Sequence, residues 1–255
     1  MKQDYDKPII TDDGSMTLFS KEFNEPYHSD KDGALNESIQ KHITPAFNNI
    51  NPFQDTITIL DICFGLGYNT FATIYYIKEK KLNYKIHIIS PEFDKNLIES
   101  LSSFTYPKEF DFLKEIIKEI SEKFYYEDEN IKIDILLDDA RKTIPKITTK
   151  FDIVYQDAFS PAHNPLLWTY EYFRDISKLI KDNGVLTTYS ISASVRMALD
   201  ENGFKLFLYK GDKTRESMVA SKKMLDLKFI DMELKKIRNR EAKSMKDEDY
   251  KITKV

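Results

Sequence analysis

Between residues 57 and 220, short apolar runs rich in β-branched residues alternate with stretches of helical periodicity, and no other feature restricts the fold as strongly. Ile57 to Ile62 (ITILDI), residues 85–90 (KIHIIS), 131–137 (IKIDILL), 151–155 (FDIVY) and 185–189 each read as a strand. Between them, Phe71, Ile74, Tyr75 and Ile77 mark a helix face over 68–80. Leu113, Ile116, Ile117 and Ile120 do the same over 109–122, at i, i+3, i+4 and i+7. A further helix is expected over 94–103. Asn164-Pro165 reads as another helix start, with Asn as N-cap and Pro at the first helical position. Tyr172, Phe173, Ile176, Leu179 and Ile180 form its buried face before Asn183-Gly184 ends it, and a last helix spans 192–201.

Strands separated by helices need crossover connections, and crossovers build a parallel, doubly wound sheet. The final two runs, 204–210 and 215–220, are separated only by the Gly211-Asp212 turn, which forces an antiparallel pair at one edge. The expected fold class is therefore α/β and Rossmann-like, with a seven-stranded, mostly parallel sheet, an antiparallel edge hairpin and helices on both faces. That pattern fits the class I methyltransferase sheet better than a nicotinamide-binding one. Residues 1–50, turn-rich with Thr11-Asp12-Asp13-Gly14 as a tight turn, are expected to be an N-terminal extension contributing to the site. The main domain is expected over 51–221. The tail, 222–255, carries 11 Lys and Arg against 7 Asp and Glu and reads as a basic helix or arm.

Composition excludes several functional classes. No apolar run approaches the ~20 residues of a membrane span, and the N-terminus has no signal-peptide core. The single cysteine, Cys63, cannot form an intramolecular disulfide, which with the missing export signal points to the cytoplasm. Four scattered histidines (His28, His42, His87, His163) give no metal-ligand spacing, so no metal is expected. The net charge of −4 does not advertise a nucleic-acid binder, although 38 Lys and Arg can still build a local basic face.

Only seven glycines occur, and two of them stand one residue apart in Asp61-Ile62-Cys63-Phe64-Gly65-Leu66-Gly67. This stretch joins the first strand of the alternation to its helix, the edge at which open α/β sheets bind ligands. A phosphate-binding loop would place a third glycine where Thr70 stands. The acid before the loop suits a moiety carrying an ammonium group and repels a pyrophosphate. Glu92 follows the second strand, where an acid commonly takes ribose hydroxyls, and Asp139 follows the third, within reach of an adenine amino group. Taken singly, each could be an ordinary turn or a solvated loop acid; together they line one sheet edge.

After the fourth strand comes Asp157-Ala158-Phe159-Ser160-Pro161, then His163-Asn164-Pro165-Leu166-Leu167-Trp168-Thr169. Transfer of a group to nitrogen by in-line displacement needs a neutral, aligned amine. A carboxylate can orient that amine and favour the growing positive charge, while aromatic faces stack on an extruded base. Phe159 and Trp168 could equally pack the following helix.

Several stretches together resemble the methyltransferase module of the MnmC-type tRNA wobble-uridine enzymes. They are Thr11 to Leu18, Glu25-Pro26-Tyr27-His28-Ser29, Gly33-Ala34, Glu37-Ser38, Phe64 to Asn69, Asp157 to Trp168, Ser194-Val195-Arg196, Gly203-Phe204 and Lys213-x-Arg215-Glu216-x-Met218. The resemblance covers about residues 9–221. It implies S-adenosyl-L-methionine as cofactor and methylation of 5-aminomethyl-2-thiouridine to 5-methylaminomethyl-2-thiouridine in tRNA. By that resemblance Asp61, Phe64, Gly65, Gly67, Asn69, Glu92, Asp139, Ala140 and Asp157 bind the cofactor. Asp157 and Phe159 carry catalysis, and Tyr27, His28, Glu37, Pro161, Asn164 and Trp168 contact the substrate.

Bifunctional relatives add a flavin-dependent domain that prepares the amine, and this chain ends at Val255. The expectation is a stand-alone methyltransferase whose substrate other enzymes supply. Cys63 departs from the family, standing where its loop usually has a first glycine, and Ser90-Pro91-Glu92 is an unusual approach to the ribose acid. The nearest alternative is an aminopropyltransferase of the spermidine synthase type; others are a methyltransferase acting on another amine and a cofactor-binding protein without transfer activity.

Overall fold

The structure, a computed structural model, describes residues 7–250. It opens with a small antiparallel sheet of β1 (Pro8–Ile10), β2 (Met16–Ser20) and β3 (Glu25–Pro26). The turn between the first two closes through Gly14 N donating to Thr11 O at 2.9 Å. A continuous helical stretch follows: α1 (Ala34–Glu37), a π-helical segment (Ser38–Ile43) and α2 (Thr44–Phe47). The turn-rich reading of this region thus missed a sheet, whose two- to five-residue strands are too short to show a period, and a helical stretch whose 3.6-residue period the π-helical segment interrupts.

The main body alternates as its sequence does. In order come β4 (Thr56–Ile62), α3 (Tyr68–Glu79), β5 (Lys85–Glu92), α4 (Lys95–Ser100), α5 (Lys114–Lys123), β6 (Tyr125–Glu127), β7 (Ile131–Leu137) and α6 (Ala140–Thr143). Then follow β8 (Phe151–Gln156), α7 (Tyr170–Leu179), β9 (Ile180–Thr188), α8 (Ala193–Glu201), β10 (Lys205–Tyr209), β11 (Ser217–Ser221), β12 (Lys228–Phe229) and α9 (Met232–Arg238). One sheet takes β4 to β12 in the order β12-β10-β11-β9-β8-β4-β5-β7-β6. The five central strands, β9, β8, β4, β5 and β7, are parallel neighbours.

The sheet has nine strands where seven were expected. The additions, β6 and β12, are short antiparallel edges that carry no alternation of their own. The predicted hairpin pairs from Lys205↔Ser221 to Tyr209↔Ser217, but β11 also pairs with β9 and so lies inside β10. Three helix boundaries differ as well, the first being that the helix expected over 109–122 is 3-10 over Lys108–Leu113 before α5 begins. Asn164-Pro165 starts only a single 3-10 turn, and α7 begins after Thr169, whose hydroxyl accepts from Tyr172 N at 3.3 Å. Asn183 and Gly184 lie within β9, beside a bulge between Phe151 and Ile153.

Side chains alternate across the sheet with the period of an extended chain. Ile57 and Ile59 of β4 face a core shared with Phe71 of α3, Ile117 of α5 and Ile43 of the π-helical segment. Leu60 and Ile62 of the same strand face the opposite core with Phe173, Ile176 and Val195 of α7 and α8. Burial on both faces explains why these strands read as near-continuous apolar runs. The described part of the tail lies against the second layer: Tyr170 N donates to Met245 O at 2.8 Å, and Asp247 takes bonds from Thr169 Oγ1 and Arg141.

Candidate active site

β4 is flanked by β5 on one side and β8 on the other, and the chain reverses its direction of travel across the sheet there. Beyond the carboxyl ends of such strands the loops diverge and leave a crevice. Here the crevice is walled by the loop after β4, by Glu92 at the end of β5 and by the loop after β8. The N-terminal segment forms a further wall, contributing Tyr27, His28 and Glu37.

The loop after β4 depends on unusual backbone angles. Cys63, Gly65 and Gly67 all have positive φ, at 65°, 55° and 74°. A Cβ on Gly67 would sit 2.5 Å from a ring carbon of Phe71, so this position excludes any side chain. Gly65 N donates to Glu92 Oε2 at 2.9 Å, and Asp94 N donates to the other oxygen at 2.9 Å. Burial pushes the Glu92 carboxyl up, and these backbone donors pull against it. The Ser90 hydroxyl, part of the departure noted above, donates to Asp61 O at 2.5 Å and ties β5 to β4.

Asp61 lies beneath the loop and does not line the crevice. One oxygen accepts from Thr70 Oγ1 at 2.8 Å; the other is buried without a partner. Burial pushes this carboxyl up to about 7. The residue where a third phosphate-loop glycine would stand is therefore a hydrogen-bond donor to the buried acid.

Asp157 is the carboxylate that does reach the crevice. Its Oδ2 accepts from Asn69 Nδ2 at 2.8 Å, and its Oδ1 lies 3.3 Å from Nε2 of fully buried His42. Burial would raise the Asp157 carboxyl, but His42 foremost, together with Asn69, outweighs it and holds the group below the usual carboxylate range. His42 comes from the π-helical segment, a rare geometry often kept at functional sites. Its role was not legible in the sequence, where it counted only as one of four scattered histidines. His28 is buried against Tyr68, with Nδ1 3.1 Å from Thr17 Oγ1, and burial pushes its imidazole down. Glu37 accepts from Ser29 N at 2.7 Å and from Lys41 Nζ at 2.7 Å, and that buried lysine also reaches Asp32 Oδ2 at 2.6 Å.

The segment after β8 is a fixed scaffold. Gln156 Nε2 donates to Leu167 O at 2.9 Å, Tyr189 Oη to Ala158 O at 2.8 Å, and Trp168 Nε1 to Phe159 O at 2.8 Å. Ser160 N donates to Glu25 of β3, binding the N-terminal sheet to the loop. Trp168 was expected at the substrate; it is instead fully buried in the second core and acts behind the loop, because its ring packs against Phe173 and Tyr189.

Of the residues anticipated for the site, Phe64, Gly65, Asn69 and Glu92 line the crevice. So do Asp157, Phe159 and Asn164 together with the N-terminal trio. Gly67 and Pro161 shape loops without lining it, and Asp139 and Ala140 stand apart after β7. There Asp139 caps α6 by accepting from Arg141 N at 2.8 Å, and Ala140 is buried. Phe23, Glu25 and Phe93 line the crevice without having been anticipated. They sit on a turn, a two-residue strand and a loop that carry no periodic signal.

S-adenosyl-L-methionine, the group implied by resemblance, brings an ammonium, ribose hydroxyls and a cationic sulfur. The crevice offers acceptors for all three. Asn69 Oδ1 is buried and unpartnered, Glu92 retains lone pairs beyond its two backbone bonds, and Asp157 is ionised. The wall at Gly65 carries no side chain. The residues present fit the group.

Comparison with known proteins agrees. A family model described as S-adenosyl-L-methionine-dependent methyltransferase matches residues 107–223. An uncharacterized protein of Methanocaldococcus jannaschii is 34% identical over 199 residues, covering 77% of this chain and 53% of its own length. The chain thus spans about half of that relative. The tRNA 5-methylaminomethyl-2-thiouridine biosynthesis bifunctional protein MnmC of Campylobacter jejuni (strain RM1221) is 30% identical over 231 residues, 85% of this chain and 36% of that protein. The crystal structure of MnmC2 from Aquifex aeolicus superimposes with a TM-score of 0.84 at 32% identity, covering 98% of this chain and 81% of that one. With Gly65, Glu92 and the Asp157 segment in one crevice, this chain belongs to the same family of S-adenosyl-L-methionine-dependent methyltransferases as MnmC2 of Aquifex aeolicus.

Proposed function

We propose that this chain methylates the primary amine of 5-aminomethyl-2-thiouridine at the wobble position of tRNA, giving 5-methylaminomethyl-2-thiouridine. The observation that carries this reading is the half-buried carboxylate of Asp157, held below the usual carboxylate range, in one crevice with Gly65 and the ring of Phe159. Similarity to MnmC2 along 98% of the chain supports it.

When bound, S-adenosyl-L-methionine supplies an electrophilic methyl group on a positively charged sulfur. Phe64, Gly65, Asn69 and Glu92 would hold it beyond the end of β4, with Asp61 and Gly67 setting the shape of the loop, while Asp139 and Ala140, outside the crevice, are assigned to the adenine side by resemblance alone. Asp157 draws in the substrate's ammonium, which gives up one proton to solvent before transfer, then accepts a hydrogen bond from the neutral amine and aims the nitrogen lone pair. The same carboxylate stabilises the positive charge that grows on nitrogen as the N–C bond forms and the methyl's bond to sulfur breaks. Phe159 supports the base, Tyr27, His28, Glu37 and Asn164 enclose it, and Pro161 shapes the loop behind them. In this reading 1–50 is an N-terminal extension that contributes to the site through residues such as Tyr27 and Glu37, 51–221 the catalytic domain and 222–255 a tail, with 1–6 and 251–255 lying outside the described residues. The enzyme works in the cytoplasm, downstream of enzymes that install the aminomethyl group.

A second reading, methylation of a different amine, is favoured by one feature: Glu22, Glu25 and Asp94 also line the crevice, where Arg215 is the strong cation among the described residues. One assay separates the two. Labelled methyl transfer to tRNA from cells lacking the modification, followed by nucleoside mass analysis, is expected to add one methyl to the aminomethyl wobble uridine. No transfer by protein that still binds the cofactor rejects the tRNA substrate and directs the search to small amines.

A further inference from the structure

The mouth of the crevice holds an aromatic arrangement that the proposed reaction does not by itself require. Phe23 lies on the turn of residues 21–24 between β2 and β3, and its ring stacks on Phe159 with centroids 4.3 Å apart and planes 17° from parallel. Phe93 meets the same Phe23 ring edge-on at 6.3 Å and is 51% exposed. Tyr27 meets Phe159 edge-on at 4.9 Å. The Phe159 ring is therefore covered by another ring on one face, two residues from the carboxylate that receives the amine.

The turn carrying Phe23 lies at the surface and is anchored to the Phe159 loop at its end, where Glu25 accepts from Ser160 N. Lys21, Glu22 and Asn24 are exposed, Asn24 adopts a φ of 52°, and Phe23 N makes a long bond of 3.3 Å to Ser20 Oγ. Phe159 is the opposite: its carbonyl is bonded by buried Trp168, and the next residue is bonded to Glu25. One face of the stack is fixed and the other rides on an exposed turn.

We infer that Phe23 is a substrate-positioning residue that occupies, in the free protein, the seat of the target base on Phe159 and then covers the base's other face. This rests on the proposed nucleobase substrate. A flat ring between two others needs centroids about 7 Å apart, twice the carbon contact distance, so the Phe23 turn moves outward on binding. Entry breaks one ring–ring contact and forms two ring–base contacts, and Phe93 gives the displaced Phe23 ring an apolar neighbour. The clamp reads a flat aromatic face close to the amine, which selects a nucleobase against a flexible aliphatic amine offering no such face.

The test compares wild type with Phe23→Ala, Phe23→Leu and Phe23→Trp in methyl transfer to tRNA lacking the modification, with S-adenosyl-L-methionine binding as the check on folding. Phe23→Ala and Phe23→Leu are expected to raise KM for tRNA by roughly 2- to 10-fold, because the lost ring–base contact is partly offset by the Phe23–Phe159 stack that no longer has to be broken, while Phe23→Trp stays near wild type. An anticodon stem-loop carrying 2-aminopurine at the wobble position should have its fluorescence quenched by wild type and by Phe23→Trp, and less by Phe23→Leu. Leu and Trp behaving alike in both assays overturns the clamp while leaving the tRNA reading intact. Wild type that transfers no methyl to tRNA removes the reading itself.

Discussion

His42 Nε2 lies 3.3 Å from Asp157 Oδ1, and the other ring nitrogen of His42 lies 3.1 Å from Thr187 Oγ1. A residue of the N-terminal helical stretch thereby joins the end of β9 to the carboxylate after β8. The contact is electrostatic more than a well-aligned hydrogen bond, and it counters the burial that would otherwise raise the Asp157 carboxyl.

His42→Ala is expected to lower kcat/KM by on the order of 10- to 100-fold while S-adenosyl-L-methionine still binds. Without the imidazole, burial of Asp157 is less opposed and its carboxyl rises. The acid limb of the pH–rate profile should therefore move to higher pH in the variant. A reduced rate with an unmoved acid limb would leave His42 a packing residue.

Asp61 makes a separate pH prediction. Its folded-state value of about 7 stands above the ordinary 3.8, so the folded protein keeps a proton that the unfolded chain releases. The sign is fixed by linkage: the stability this proton contributes is complete below pH 3.8 and is lost as pH rises towards 7. Asp61→Asn keeps an acceptor for Thr70 and removes this slope of roughly 1.4 kcal/mol per pH unit. Thermal melts at pH 5 and pH 8 should show the variant gaining on wild type at the higher pH; a constant difference would refute the assignment.

Cys63 is the one non-glycine with positive φ in the β4 loop, at 65°. A side chain there costs roughly 1–2 kcal/mol of backbone strain, partly offset because glycine is freer when unfolded. Cys63→Gly is expected to raise stability by about 0.5–1 kcal/mol. Cys63→Ala keeps the strain and should not. Denaturant midpoints for the two variants check this, and equal midpoints would mean that the loop accommodates the side chain without strain.

Lys41 is 2% exposed and bridges Asp32 and Glu37, so its loss leaves buried Glu37 without its cation and buried Asp32 with Arg215 alone, 3.4 Å away. Lys41→Met should cost about 3–5 kcal/mol by denaturant unfolding, because the Coulomb partner disappears while the desolvation of the acids remains. A loss below about 1 kcal/mol would show that water reaches the pair. Glu37 lines the crevice and roots it in this cluster, so turnover should fall along with stability.

The central architecture was legible because its signals are local. Apolar runs such as ITILDI are buried on both faces of β4, and i, i+3, i+4, i+7 spacing marks α5 over Lys114–Lys123. Gly65 and Gly67 marked the loop at the ligand-binding edge of the sheet, and the Asp157 segment announced a carboxylate at a strand end. β6 and β12 escaped because two or three residues hold no period. Asn164-Pro165 misplaced the start of α7 because the pair begins a single 3-10 turn, and the side chain that caps the helix is Thr169.

What the sequence determined by itself is the order of elements, the faces they bury and the edge at which the loops converge, since periodicity and turn chemistry act between residues near in the chain. The tertiary structure decided which side chains meet at that edge. It placed His42 on Asp157, moved Trp168 behind the loop, sank Asp61 beneath it and laid Phe23 on Phe159. Those partners lie on elements joined only by docking. Their pairing follows from how the N-terminal segment packs over α3 and β9, a long-range fit of shapes and charges that no local pattern encodes.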